Sequence, residues 1–132
     1  MRFSTIIIAL AAVSVVILLA NRWRRSSEGK TRDGEVLAQL REAGSDLSKP
    51  HPVEFFLYFP SEEAARHVGV AIADQGFTIE VRQAAQGSNW AVLAGKIMVP
   101  NEADLLRIRE AFDALATAQG GEYDGWGTPV VP

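Results

Sequence analysis

The apolar positions of this chain follow three different rhythms, and each predicts a different kind of element. From Phe3 to Ala20 there is no rhythm: the run contains no charged residue and no proline, and Ile6 to Leu10 and Val15 to Ala20 are almost wholly aliphatic. At ~1.5 Å per residue, about 18 residues reach ~27 Å, roughly the hydrocarbon thickness of a bilayer. This predicts a single N-terminal transmembrane helix. A cleaved secretory signal fits less well, because only Arg2 precedes the run and Leu18-Leu19-Ala20 is a poor small-x-small cleavage site.

The remaining chain switches between periods near 3.6 and 2. Glu35 to Ala43 carries Val36, Leu37 and Leu40 at helical spacing and meets a terminator at Gly44. Val53 to Phe59 puts Val53, Phe55, Leu57 and Phe59 on one face of a strand that Pro60 ends. Ser61 then caps a helix with Glu62 and Glu63 in its first turn and an apolar stripe from Ala64 to Ile72. Phe77 to Arg82 and Trp90 to Val99 read as two antiparallel strands joined through the Gln86-Gly87-Ser88-Asn89 loop. Pro100 to Asp104 punctuates and caps a second helix, with Leu105, Ile108, Phe112 and Leu115 on one side, running to about Gln119. Gly120-Gly121 stops it, and Tyr123, Trp126 and Val130-Val131 lie in a final extended segment. The order is that of an α+β, ferredoxin-like βαββαβ sandwich: an antiparallel four-stranded sheet with helices on one face, preceded by the transmembrane helix. The other sheet face stays available for a ligand, a partner, or the helix around Val36 to Leu40.

The predicted organisation is therefore an anchor over residues 1–22, a basic juxtamembrane linker over 23–34, polar and flexible from Ser26 to Asp33, and one domain over 35–132. Arg22, Arg24, Arg25, Lys30 and Arg32 crowd the C-terminal flank of the apolar run, with Glu28 the one acid among them. Excess Lys and Arg marks the cytoplasmic side. The expectation is a single-pass protein of the cytoplasmic (inner) membrane, held through residues 3–20, whose domain faces the cytosol. From Gly44 to Pro132 the balance reverses, with twelve acids against six bases. Nucleic-acid binding rests on a basic face that releases counterions from phosphates, so this balance argues against direct RNA or DNA contact and for a basic protein partner. The absence of cysteine excludes disulfides, Cys-ligated zinc and a thiol nucleophile.

Candidate chemistry is sparse. Glu122 and Asp124 are two apart and share a strand face, as paired catalytic carboxylates require, but no His or Lys lies near them in sequence. Glu122, Tyr123, Asp124 and Trp126 are more readily a turn whose aromatics pack on the core, or a contact patch for a partner. Phe56 and Tyr58 project from the face opposite Leu57, an arrangement used to stack bases, yet the basic strand that should accompany them is missing, since Trp90 to Val99 offers only Lys96. His51 and His67 are the only histidines, and their spacing reveals no metal site. No cofactor, metal or catalytic residue is expected.

Gly44 to Pro50, Val53 to Pro60, Ala65, Gly76-Phe77, Trp90, Val99-Pro100 and above all Gly120-Gly121-Glu122-Tyr123-Asp124-Gly125-Trp126 resemble the regulator of ribonuclease E activity B (RraB) family. The resemblance covers Val36 to Val131. It implies a ferredoxin-like domain that is not an enzyme, binds ribonuclease E and reduces its RNA cleavage. The partner-binding candidates are Glu122, Tyr123, Asp124, Trp126, Phe56 and Tyr58, and on this resemblance the partner is ribonuclease E or a related RNA-processing enzyme. The N-terminal anchor and the lack of a long acidic tail depart from the family's usual form. The alternatives are an RNA-binding domain using the Phe56 and Tyr58 face, and a small acid/base hydrolase using Glu122 and Asp124.

Overall fold

The aromatic run from Val53 to Phe59 lies within β1 (His51–Phe59), the strand on which the rest of the sheet is organised. The computed structural model describes residues 29–85, 87 and 89–132. Around β1 stand α1 (Gly29–Glu42), α2 (Glu62–Ala73), β2 (Thr78–Gln83), β3 (Trp90–Met98), α3 (Glu102–Ala118) and β4 (Glu122–Gly127). After α1 the order is β-α-β-β-α-β, as the sequence pattern predicts, and the strands form one antiparallel sheet in the order β2-β3-β1-β4.

Capping explains where the helices start. The Ser61 hydroxyl accepts the Ala64 N–H at 3.1 Å, and the Asn101 side chain accepts the Asp104 N–H at 2.9 Å. Each satisfies an otherwise orphaned donor of the first turn, and the acids there oppose the positive end of the helix dipole. Ala65, Val68 and Ile72 of α2 and Leu105, Phe112 and Ala116 of α3 pack on Val53, Phe55, Leu57 and Phe59. Phe55, Phe77 and Phe112 form a ring cluster at the centre, with centroids 5.2 to 5.8 Å apart and mostly edge-on geometry. Each fully buried aromatic contributes on the order of 1.5–3 kcal/mol from area alone, and edge-on pairing adds to that.

Helix α1 differs from expectation in both length and place. The polar segment read as a flexible linker to Asp33 is helical from Gly29. Val36, Leu37 and Leu40 join the same core as α2 and α3 instead of covering the opposite sheet face. The physical reason is Asp33. This carboxylate is fully buried, pairs with the Arg109 guanidinium on α3, and accepts the Trp126 indole N–H from β4 at 3.2 Å. A buried pair adds little net stability, but its geometry is demanding, so it selects where α1 sits.

The expected single-pass placement in the cytoplasmic membrane, with the domain facing the cytosol, is overturned. Among the described residues no helix is long and apolar enough to cross a membrane. The longest, α3, has 17 residues and carries charges along its length, from Glu102 to Asp113. The apolar run at residues 3–20, on which that expectation rested, lies outside the described residues.

Candidate functional site

Strand register sets out the sheet face that α1, α2 and α3 leave alone. Across it, Arg82 of β2, Ala91 of β3, Tyr58 of β1 and Glu122 of β4 form one row. The next row is Glu80, Leu93 and Phe56, followed by Thr78, Gly95, Glu54 and Gly127, and then Ile97 beside Pro52. An apolar centre is thus bordered by Glu54, Glu80 and Glu122. The one cation of these rows, Arg82, donates to Glu80 at 3.2 Å.

Asp124 belongs to the same face. Tyr58 titrates well above the ordinary phenol range, first because burial disfavours the phenolate and next because Asp124, Glu122 and Glu54 all repel it, with Arg82 opposing them. Three carboxylates therefore act on one phenol, which stays protonated and able to donate. A surface of this kind attracts a cationic partner and repels nucleic-acid phosphates.

The GGEYDGW segment is divided between the two sides of the sheet. Glu122 pairs with Tyr58, whereas Tyr123 pairs with Leu57 and Trp126 with Phe55, on the helical side. Between those two pairs β1 advances two residues and β4 three, which is a β-bulge. Gly125, at φ 101°, takes up the extra residue. Trp126 is 1 % exposed and bonded to Asp33, and the Tyr123 ring packs edge-on against Phe112, with centroids 6.0 Å apart. Burial also raises the Tyr123 hydroxyl's pKa, and that hydroxyl has no hydrogen-bond partner among the described residues. Of the six candidates, the structure brings Phe56, Tyr58, Glu122 and Asp124 together on one face and places Tyr123 and Trp126 beneath it.

The two glycines before Glu122 have separate jobs. Gly120 turns the chain out of α3 with φ 73°. Gly121 passes so close to β1 that a Cβ there would lie 2.4 Å from the Tyr58 carbonyl oxygen.

A Ser–His pair went unnoticed in the sequence. Ser45 Oγ and His51 Nε2 are 2.6 Å apart and both residues are buried. His51 Nδ1 lies 2.8 Å from the Lys49 carbonyl, which can only accept, so in the neutral ring Nε2 accepts the Ser45 hydroxyl proton. The serine oxygen in turn accepts the Val131 N–H at 2.9 Å, and the Asp46 N–H donates to the Val131 carbonyl at 2.7 Å. The hydroxyl is closed in by these partners, so the pair acts as a clamp on residues 131–132, helped by Lys49 Nζ donating to the Pro132 carbonyl at 2.7 Å. A loop serine six residues before a histidine-proline step was the only trace of it in the sequence. His67 is exposed on α2, and among the described residues no group of three or more His, Asp or Glu side chains is arranged to hold a metal ion.

Residues 30–128 match the protein family described as regulator of ribonuclease activity B. No curated protein matches the chain.

Proposed function

The chain belongs to the RraB family, and from that premise we propose that it is a non-enzymatic regulatory domain of ferredoxin-like type that binds a ribonuclease, ribonuclease E or a related RNA-processing enzyme, and lowers its activity. The observation that carries the reading is the convergence of Glu54, Glu122 and Asp124 around Tyr58, with Glu80 in the neighbouring row of the same sheet face. The surfaces with which a ribonuclease holds RNA are basic, and a compact acidic face is complementary to them. The exposed Glu54 and Glu80 and the half-buried Glu122 meet the partner, Asp124, Phe56 and Tyr58 lie buried behind them, and Tyr123 and Trp126 hold β4 in place from below. The same carboxylates weigh against stacking RNA bases on Phe56 and Tyr58.

Titrating the purified full chain into ribonuclease E during RNA cleavage tests this reading. Cleavage is expected to fall with dose, and the Glu54→Lys/Glu122→Lys double variant to bind roughly tenfold or more weakly, mainly through slower association. No binding to the ribonuclease, or equal inhibition by the double variant, would overturn the proposal.

A further inference from the structure

β2 is an edge strand, and among the described residues nothing pairs with its outer side. Edge strands of folded domains are ordinarily guarded by proline, lysine, a bulge or a covering element. β4, the opposite edge, has its bulge at Gly125, whereas β2 carries neither proline nor lysine and runs in unbroken register with β3 through all six residues.

One bond sets the phase of the open edge. The Ala84 N–H donates to the Asn89 carbonyl at 2.8 Å, and that pair continues the β2–β3 register. Bonding direction alternates along an antiparallel ladder, so Arg82, Glu80 and Thr78 bond β3, while Gln83, Val81 and Ile79 direct their N–H and C=O groups outward.

We propose that a second copy of this chain pairs along this edge, β2 antiparallel to β2 about a two-fold axis at Val81. In this register every outward-directed residue falls in a hydrogen-bonded pair: Val81 opposite the second copy's Val81, and Ile79 opposite the second copy's Gln83, twice over. Glu80 then stands opposite the second copy's Arg82, also twice, on the face away from the helices. A slip of two residues, the smallest that keeps the outward groups in phase, sets Glu80 against Glu80 in one direction and Arg82 against Arg82 in the other. Within each chain Arg82 already holds Glu80 at 3.2 Å, so the four charges alternate around the axis.

Helix α2 supports the same occupant independently. A Cβ on Gly69 would meet the Ile79 and Val81 side chains at 3.2 and 3.5 Å, so the Gly69 side of α2 is the side over β2. At about 100° per residue, Ala73 and Val70 lie ~40° and ~100° further round on that side, away from the buried Ala65 and Val68. Both are exposed, Val70 to 64 %. Because α2 covers β2 and β3 together, its axis stands ~5 Å from the two-fold, and the two copies of α2 come ~10 Å apart, an ordinary helix packing distance. Val70 and Ala73 then close on their counterparts.

The paired sheets make one layer of eight strands with all the helices on one side. Glu54 and Glu122, on β1 and β4, stay clear of the axis, so one dimer offers a ribonuclease two contact faces. That consequence rests on the proposed function. Self-association does not, and it is measured with no ribonuclease present.

Sedimentation of the full chain over about 1–100 μM is expected to show a monomer–dimer equilibrium. Arg82→Glu and Glu80→Arg should each weaken it roughly tenfold, and mixing these two variants should restore it, because each supplies the charge the other lacks. The chain has no cysteine, so Glu80→Cys mixed with Arg82→Cys is expected to form a disulfide between the two variants, across a Cα separation of ~4.5 Å, while either variant alone links several-fold less. The cysteine pair tests the same register without any charge reversal. A chain that stays monomeric across this range overturns the proposal, and so does a dimer indifferent to the reversals or one whose mixed cysteines link no better than either alone.

Discussion

Replacing Gly121 by alanine adds a single methyl group at the point where the turn after α3 meets β1. An ideal Cβ there would lie 2.3 Å and 2.6 Å from two ring carbons of Phe59 and 2.4 Å from the Tyr58 carbonyl oxygen. Ordinary contact begins near 3.4 Å, so about 1 Å of relief is needed against each neighbour. Neither can supply it cheaply. Phe59 is 1 % exposed in the core, and moving the Tyr58 carbonyl disturbs the adjacent Tyr58–Glu122 pairing that seats β4. Overpacking of this kind costs about 1–3 kcal/mol, and with backbone as one obstacle the upper end applies. For a domain of this size, about 3 kcal/mol lowers the melting temperature by roughly 12–24 °C. Gly120→Ala is the internal control: its φ of 73° imposes about 1–2 kcal/mol of left-handed strain, but a Cβ there meets nothing within 4 Å. Thermal melts followed by circular dichroism, with urea denaturation as a second measure, should order the proteins wild type, Gly120→Ala, Gly121→Ala. A Gly121→Ala protein that melts within about 4 °C of wild type, or above the Gly120→Ala protein, refutes the close-approach argument.

Asp33 carries a pH signature. Burial raises its pKa more than Arg109 and the Trp126 indole lower it, so the folded state holds this proton more tightly than the unfolded chain does. Its contribution is therefore fully present below the unfolded value of ~3.9 and is lost as pH rises through the raised folded value. Denaturation of wild type and Asp33→Asn from pH 3.5 upward should show wild type losing ground to the variant, and the opposite trend would mean that the ion pair outweighs desolvation. Ser45→Ala should cost about 1–3 kcal/mol by stranding His51 Nε2 and the Val131 N–H, and the Val131 amide should exchange with solvent faster than in wild type. An unchanged exchange rate there would show that the serine does not hold the segment.

Local chemistry was readable wherever one residue type acts on its near neighbours. Ser61 and the stretch from Pro100 to Asp104 marked the helix starts because a capping side chain reaches only to the next turn, and alternation in Val53 to Phe59 marked β1 because one side of the sheet is dry. The capping boundaries and the order of strands and helices followed from these. The placement of α1 did not. Its apolar stripe fits either face of the sheet, and the choice is made by Asp33 meeting Arg109 and Trp126, residues 76 and 93 positions away. The Ser45 clamp on Val131 spans 86 positions and was equally invisible. For the candidate site, the residue types in GGEYDGW were noted in sequence, but the division of that segment between the two faces depends on the bulge, which no periodicity announces.

That bulge makes β4 behave like a reading frame. Upstream of Gly125 the strand is in one phase, with Glu122 outward and Tyr123 inward; downstream it is in the other, which is how Trp126 comes to point inward three residues after Tyr123. Were the strand to run in regular alternation with all its residues retained, the indole would turn to the opposite side, stripping Asp33 of its donor and the core of a large buried side chain. Deleting Gly125 itself leaves Trp126 two positions after Tyr123 and still inward. Exchanging residues within this strand is a matter of degree, but losing the bulge's change of phase inverts the face of every position after it.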